Sequence, residues 1–355
     1  MRLSSVEVIP YALPFKEPYV TARGVLRRRE MVLLRVRDEE GVVGLGEAVP
    51  LALRGGVGLR GVVAELEGWG EYREVQALSA PARCAVETAL MDLRGRRIGK
   101  GLGEGVRDEA IPCNATLVAG PPEAVAVEAE RWARDGFTTF KSKLGAESAK
   151  SHPQDDFLRT RDVEQVRAVR EALGPEVRIR VDANEAWDLE TAQATLAALE
   201  PLEVELAEQP VAGLEAMAEL AASTSIPLAA DESVASLEEA ERAVALGACA
   251  YTGIKLSKVG GPEEALAIAD VLPAYVTSAL DGPVGIAVAA QVALSLAETD
   301  HPERLHLAHG LATQRLFAST IASVECEIRN GMLHLPPGPG LGVEIDEEAL
   351  KAHRF

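Results

Sequence analysis

Apolar and polar residues alternate through residues 3–11, and a second apolar-rich run, Glu30-Met-Val-Leu-Leu-Arg-Val-Arg37, leads into the turn signal Glu39-Glu-Gly-Val42. Both runs predict strands. Between Ala80 and Arg94 the apolar positions recur at steps of three and four, the spacing of a helix with one buried face. Residues 1–108 therefore predict a small α+β domain. From Ile111 the pattern changes to short β-rich runs, each followed by an Ala/Glu-rich amphipathic segment, and it holds to about residue 320. The predicted strands cover residues 113–118, 138–144, 177–182, 204–208, 227–231, 251–256, 274–280 and 304–308. Eight strands in such an alternation predict a closed parallel barrel. An open doubly wound sheet would have fewer strands and a phosphate-binding glycine turn after its first. The polar stretch 145–161, with His152-Pro153 and Asp155-Asp156, predicts a long loop after the second strand. The barrel is expected to span 109–320, and the tail 321–355, with Pro336-Pro-Gly-Pro-Gly-Leu-Gly342, to fold back on the N-terminal domain.

Composition narrows the classes. The 355 residues are 47% hydrophobic and 26% charged, an ordinary globular balance. No run of about 18 uncharged apolar residues occurs, and Glu7 stands where a secretory leader needs its apolar stretch, so a cytoplasmic location is expected. The formal charge of −19 argues against nucleic acid and anionic membranes as partners, and an anionic substrate would need a locally positive pocket. Cys84, Cys113, Cys249 and Cys326 are widely spaced and form no CxxC pair, which suggests neither a zinc site nor a disulfide framework.

Three acids end consecutive predicted strands: Asp182 in RIRVDANEAW, Glu208 in VELAEQP and Asp231 in PLAADES, 26 and 23 residues apart. That separation is one βα unit, so all three are expected at the C-terminal mouth on neighbouring strands. Any one of them alone reads better as a helix N-cap or a surface residue. Three in register would repel one another unless a cation lay between them, and an all-oxygen site suits Mg²⁺, with Mn²⁺ as the alternative ion. Lys141 and Lys143 in TTFKSKLG lie two apart on the second strand, about 6.6 Å along one face. Lys255 in TGIKLSKVGG is on the sixth, across the ring, so a substrate over the metal would meet a lysine on either side. Removing a proton next to a carboxylate requires the developing enediolate charge to be stabilised, which a metal and an ammonium can do. A basic Lys143 must be neutral when it acts, and Mg²⁺ together with Lys141 would lower its pKa.

This set of residues, with ETALMDLRG at 87–95, resembles the muconate-lactonizing subgroup of the enolase superfamily over essentially the whole chain. The resemblance implies a modified TIM (β/α)7β-type barrel under an N-terminal α+β capping domain completed by the C-terminal tail. It implies Mg²⁺ on Asp182, Glu208 and Asp231, Lys143 as acid/base with Lys255 facing it, and Lys141, Ser278 and Leu280 among the substrate contacts. Asn184 and Glu232 would support the metal ligands. A small anionic carboxylate would be the substrate, and a homo-oligomer the assembly the family suggests. The mandelate racemase branch uses a histidine on strand seven, and 274–285 contains none. The segments YVTSALDGPVGIAVAAQVAL and HLAHGLATQRLFA are most similar to the o-succinylbenzoate synthases, which are lyases of menaquinone biosynthesis. N-succinylamino acid racemases share the scaffold and both lysines. Dipeptide epimerases place an acidic motif at strand eight, which Leu305-His-Leu-Ala-His-Gly310 lacks. The capping loops at 20–29 and 49–59 are expected to close over the substrate, and His306 and His309 read as packing or supporting residues.

Overall fold

A computed structural model describes residues 2–21, 24–52, 55–72, 78–101, 110–145, 156–297 and 307–355. Strands Leu3–Thr21, Gly24–Asp38 and Val43–Ala48 form an antiparallel sheet packed against helices Leu59–Tyr72 and Ala80–Arg97. Met31, Val32, Leu33 and Leu34 are buried consecutively because this sheet is covered on both faces. Met31 and Leu33, with Ile9, Tyr11 and Leu13, join the barrel core. Val32, Leu34 and Val36 pack with Leu66 and Leu93 of the helices. Gly44 and Gly46 let that packing close: a Cβ at Gly46 would lie 1.9 Å from Ala85 O, and one at Gly44 2.2 Å from Ala89 O.

The first two strands run further than expected. The 20–29 segment, predicted as a loop, continues the hairpin with Tyr19 opposite Leu26 and Val20 opposite Val25. The register shifts between Pro14 and Tyr19, where Pro14 and Pro18 have no N–H to donate. Residues 22–23, within that segment, and 53–54, within the 49–59 loop, lie outside the described residues.

Seven parallel strands follow in sequence order: Asn114–Leu117, Thr139–Lys143, Arg178–Asp182, Val204–Glu208, Leu228–Ala230, Tyr251–Ile254 and Ala274–Val276, here called barrel strands one to seven. Closure comes slightly later than the predicted eighth strand at 304–308, of which 304–306 fall outside the described residues. His309 pairs with Cys113 and Gly310 with Thr277. The amide of Asn114 donates to His309 O at 2.9 Å and that of Gly310 to Val276 O at 2.8 Å, so one dipeptide joins the first and last strands. The loop predicted at 145–161 is shorter, because helix Asp156–Leu173 takes its last residues, while 146–155 lie outside the described residues.

The tail meets the N-terminal elements at several points. Asp92, in the helix carrying ETALMDLRG, accepts hydrogen bonds from Leu341 N at 2.7 Å and Leu45 N at 2.9 Å. Arg96 donates to Val343 O at 2.7 Å, and Arg35 pairs with Glu347 at 2.6 Å. Tail strand Met332–His334 also pairs with Ile111–Pro112 beside the barrel. Among the described residues, no helix is long and apolar enough to cross a membrane.

Candidate active site

Strand register aligns the candidate residues: Lys143 pairs with Asp182, and Asp182 with Glu208. Ala229 continues the row, which puts Asp231, two residues on, past the end of strand five on the same side. Asp182, Glu208 and Asp231 are all 0% exposed, a costly position for three anions unless cations are close.

Ammonium groups meet that need in this structure. Lys141 Nζ lies 2.8 and 3.0 Å from the two Glu208 oxygens and 2.9 Å from Asp182 Oδ2. Lys143 Nζ lies 2.5 Å from Asp182 Oδ2 and 2.9 Å from Asn184 Oδ1. Lys255 Nζ contacts Asp231 Oδ2, so the KxK pair and Lys255 flank the acids from strand two and from the end of strand six. Burial pushes the Asp182 carboxyl up, but Lys141 and Lys143 outweigh it and hold the group far below the usual carboxylate range. Glu208 is shifted upward, first by burial and then by the charge of Asp182. Burial pulls Lys143 down and Asp182 pushes it up, with Lys141 opposing, and the net shift is upward. That is the reverse of the lowering expected with a divalent cation present, because here the ammonium receives the Asp182 charge directly.

The donor chemistry fits a hard divalent cation: three buried carboxylates, without sulfur or imidazole. Among the described residues no three His, Cys, Asp or Glu side chains converge as a ready cage; the ammonium groups take the carboxylate oxygens instead.

Of the predicted supporting residues, Asn184 and Glu232 are hydrogen-bonded to the acids or to one another. Asn184, with φ of +46°, donates its amide N–H to Asp182 Oδ1 at 3.1 Å and its Nδ2 to Glu232 Oε1 at 3.1 Å. Ser278 lies two residues past strand seven with its hydroxyl turned to Asp281 Oδ2 at 2.6 Å, and Leu280 follows in the left-handed region at φ +67°. His309 is buried and its Nδ1 accepts from Val276 N at 3.0 Å. Burial and then the nearby Arg180 charge lower its pKa to about 3, so it serves the barrel seam as a neutral ring. His306 lies outside the described residues.

Three nearby residues were not anticipated. Lys258 contacts both Asp231 O and Asp231 Oδ1, the latter at 3.1 Å. It lies three residues after Lys255 in the short helix Leu256–Val259, and i, i+3 spacing was the available signal. Gln209 accepts from Asp231 N at 2.9 Å, tying strand four to strand five. Tyr275 donates its hydroxyl to Glu208 Oε2 at 2.5 Å, a contact across the ring with no signature in local sequence.

The N-terminal domain grips the same mouth. Arg29 donates to Pro50 O and Ala279 O, each at 3.0 Å. Glu47 accepts from Gly282 N at 2.7 Å and from the Tyr11 hydroxyl at 2.8 Å. Arg83 donates to Val259 O at 2.8 Å and Gly260 O at 3.2 Å, in the turn after Lys255 and Lys258.

Comparison with known proteins agrees with this architecture. Residues 124–349 match the family model described as enolase C-terminal domain-like. The chain is 34% identical over 303 residues to the o-succinylbenzoate synthase of Thermobifida fusca (strain YX), covering 84% of this chain and 86% of that protein. The muconate lactonizing enzyme from Pseudomonas fluorescens, solved with muconolactone, has a TM-score of 0.89 at 27% identity, over 100% of this chain and 99% of that one. The dipeptide epimerase from Enterococcus faecalis V583, solved with Mg and the dipeptide L-Leu-L-Tyr, has a TM-score of 0.86 at 25% identity, over 97% and 100% of the two chains. With a matching family model, this relative and a shared fold, the chain belongs to the enolase superfamily, in its muconate-lactonizing subgroup.

Proposed function

We propose that this enzyme is a cytoplasmic, Mg²⁺-dependent o-succinylbenzoate synthase, which converts 2-succinyl-6-hydroxy-2,4-cyclohexadiene-1-carboxylate to 2-succinylbenzoate and water. The observation that carries this reading is the placement of Lys143 and Lys255 on opposite flanks of three buried carboxylates. The 34% identity to a synthase of that name supports the choice of reaction.

In this reading Asp182, Glu208 and Asp231 would hold the cation, which would supply positive charge beside the substrate carboxylate. Lys141, shared between Asp182 and Glu208, adds a fixed positive charge to the pocket floor and helps bind that carboxylate. Lys143, neutral when it acts, takes the proton from the carbon bearing the carboxylate, breaking the C–H bond. The same ammonium then gives its proton to the departing hydroxyl on the same face, so the C–O bond breaks and water leaves. Lys255 stays protonated and faces the ring, stabilising the enediolate through a cation–π contact. Asn184 and Glu232 hold Asp182 and Lys143 in place, and Ser278 and Leu280, in the turn after strand seven, would meet the substrate.

Purified protein supplied with Mg²⁺ and the cyclohexadiene should show the ultraviolet change of aromatic ring formation. No change at saturating substrate would overturn the assignment. The amine on each flank also favours a second reading, racemisation of N-succinylamino acids, in which one lysine removes the α-proton and the other returns one to the opposite face. Exchange of the α-hydrogen with solvent deuterium tests it.

A further inference from the structure

Tyr275 sits in the middle of strand seven with its ring 0% exposed, and its hydroxyl reaches across strands six and five to Glu208 Oε2. Two features hold the ring there. Gly253 of strand six is its register partner, and a Cβ at that position would lie 3.2 Å from the phenol oxygen and 3.3 Å from Cζ. That spacing is tighter than most Cβ contacts, so a side chain at Gly253 would press on the ring. On another side the Arg180 guanidinium lies 5.0 Å from the ring centroid, anchored by Glu205 at 2.5 Å and Ala308 O at 2.7 Å. The phenol is thus wedged between a glycine and a fixed cation and aimed at one carboxylate oxygen.

We propose that Tyr275 is a positioning residue that fixes the Glu208 carboxylate for divalent-cation binding, and that Gly253 is glycine so that the phenol can reach it. The inference rests on the reading of Glu208 as a cation ligand. Among the described residues the other side-chain donor to Glu208 is Lys141, which is shared with Asp182 and brings a positive charge that opposes a second cation. A neutral phenol orients the carboxylate while leaving its negative charge intact, and a hydrogen bond to an ionised acceptor is among the stronger ones. Groups that hold a metal ligand in this way typically contribute about 10- to 100-fold in metal affinity.

The test uses full-length wild type, Tyr275→Phe and Gly253→Ala, titrated with Mn²⁺ in the absence of substrate, with free ion read by its paramagnetic resonance signal. Tyr275→Phe is expected to bind about 10- to 100-fold more weakly. The Mg²⁺ concentration for half-maximal activity should rise in step, while KM for the substrate at saturating Mg²⁺ stays within about twofold of wild type. Gly253→Ala should move both quantities in the same direction, and the double variant should lose little more than Tyr275→Phe alone, because both substitutions act through one hydrogen bond. Wild-type affinity in a folded Tyr275→Phe variant overturns the positioning role alone. If Tyr275→Phe does not fold, wild-type affinity in Gly253→Ala has the same force. Wild type that binds no divalent ion overturns the cation reading itself, and this inference with it.

Discussion

Lys143 and Asp182 are register partners on neighbouring barrel strands, and their side chains meet at 2.5 Å, ammonium to carboxylate. Asp182 also holds Lys141 at 2.9 Å, so losing Lys143 leaves the buried acid with a partner. Lys143→Ala is therefore expected to fold normally and to lose turnover by about 10²- to 10⁴-fold, the usual contribution of a general acid/base. Thermal melting and the ring-formation assay measure the two halves of this prediction. A variant keeping more than a tenth of wild-type turnover would remove Lys143 from the proton-transfer role.

Lys141→Ala should behave differently. Its ammonium serves both Glu208 and Asp182, and its side chain is only 6% exposed against 19% for Lys143. Removing one member of a buried charge network leaves an uncompensated anion, at a cost of roughly 3–5 kcal/mol. Urea denaturation at neutral pH should show a loss of that order for Lys141→Ala and a clearly smaller one for Lys143→Ala. Equal losses would mean that the two lysines share the burden evenly.

The contrast between these lysines shows what local sequence carries. The KxK spacing on a strand is enough to put both amines on one face, and the 26- and 23-residue intervals are enough to bring three acids to one mouth. Both are consequences of repeat length and strand periodicity, which are properties of the chain before it folds. Tyr275 and Glu47 carry no such mark, because their partners, Glu208 and Gly282, come close only through barrel closure and domain packing. The closing residues His309 and Gly310 lie one and two positions past the predicted eighth strand for a related reason. They pair through isolated bridges, too short to leave a run of alternating residues. The hairpin at 20–29 was hidden by its arginines and glycine, which match a loop composition although the backbone pairs.

Arg83 offers a test of how far the N-terminal domain sets the chemistry. From helix Ala80–Arg97 it holds the Val259 and Gly260 carbonyls, four and five residues past Lys255. Loss of two hydrogen bonds costs about 1–3 kcal/mol of stability. A displacement of the turn that follows Lys255 acts on rate more strongly than on substrate affinity, because orientation of the amine matters at the transition state. Arg83→Ala should lower kcat by about tenfold or more while KM changes little. A rise in KM at unchanged kcat would place Arg83 in substrate binding instead.

Glu47 predicts a pH dependence. It is 2% exposed, between the Tyr11 hydroxyl and the amide of Gly282, with Asp281 nearby. Burial, and then the charge of Asp281, push its carboxyl from 4.5 up to about 7, against the opposing hydrogen bonds from Tyr11, Gly282 and Val284. The folded state therefore holds this proton more tightly than the unfolded chain does. Its stabilising contribution is fully present below pH 4.5 and is lost as the pH rises through about 7. A shift of this size is worth up to about 3 kcal/mol. Glu47→Gln keeps the shape and removes the titration, so its unfolding free energy relative to wild type should improve steadily between about pH 5 and 8 and then level off. Denaturant titrations across that range isolate the effect, because the other buried acids are common to both proteins and cancel in the difference. A flat difference would mean that the folded protein holds Glu47 at an ordinary pKa. A rising one would mean that ionising Glu47 destabilises this corner through its burial and the repulsion of Asp281, although Gly282 N donates more strongly to the ionised form, next to the turn that carries Ser278 and Leu280.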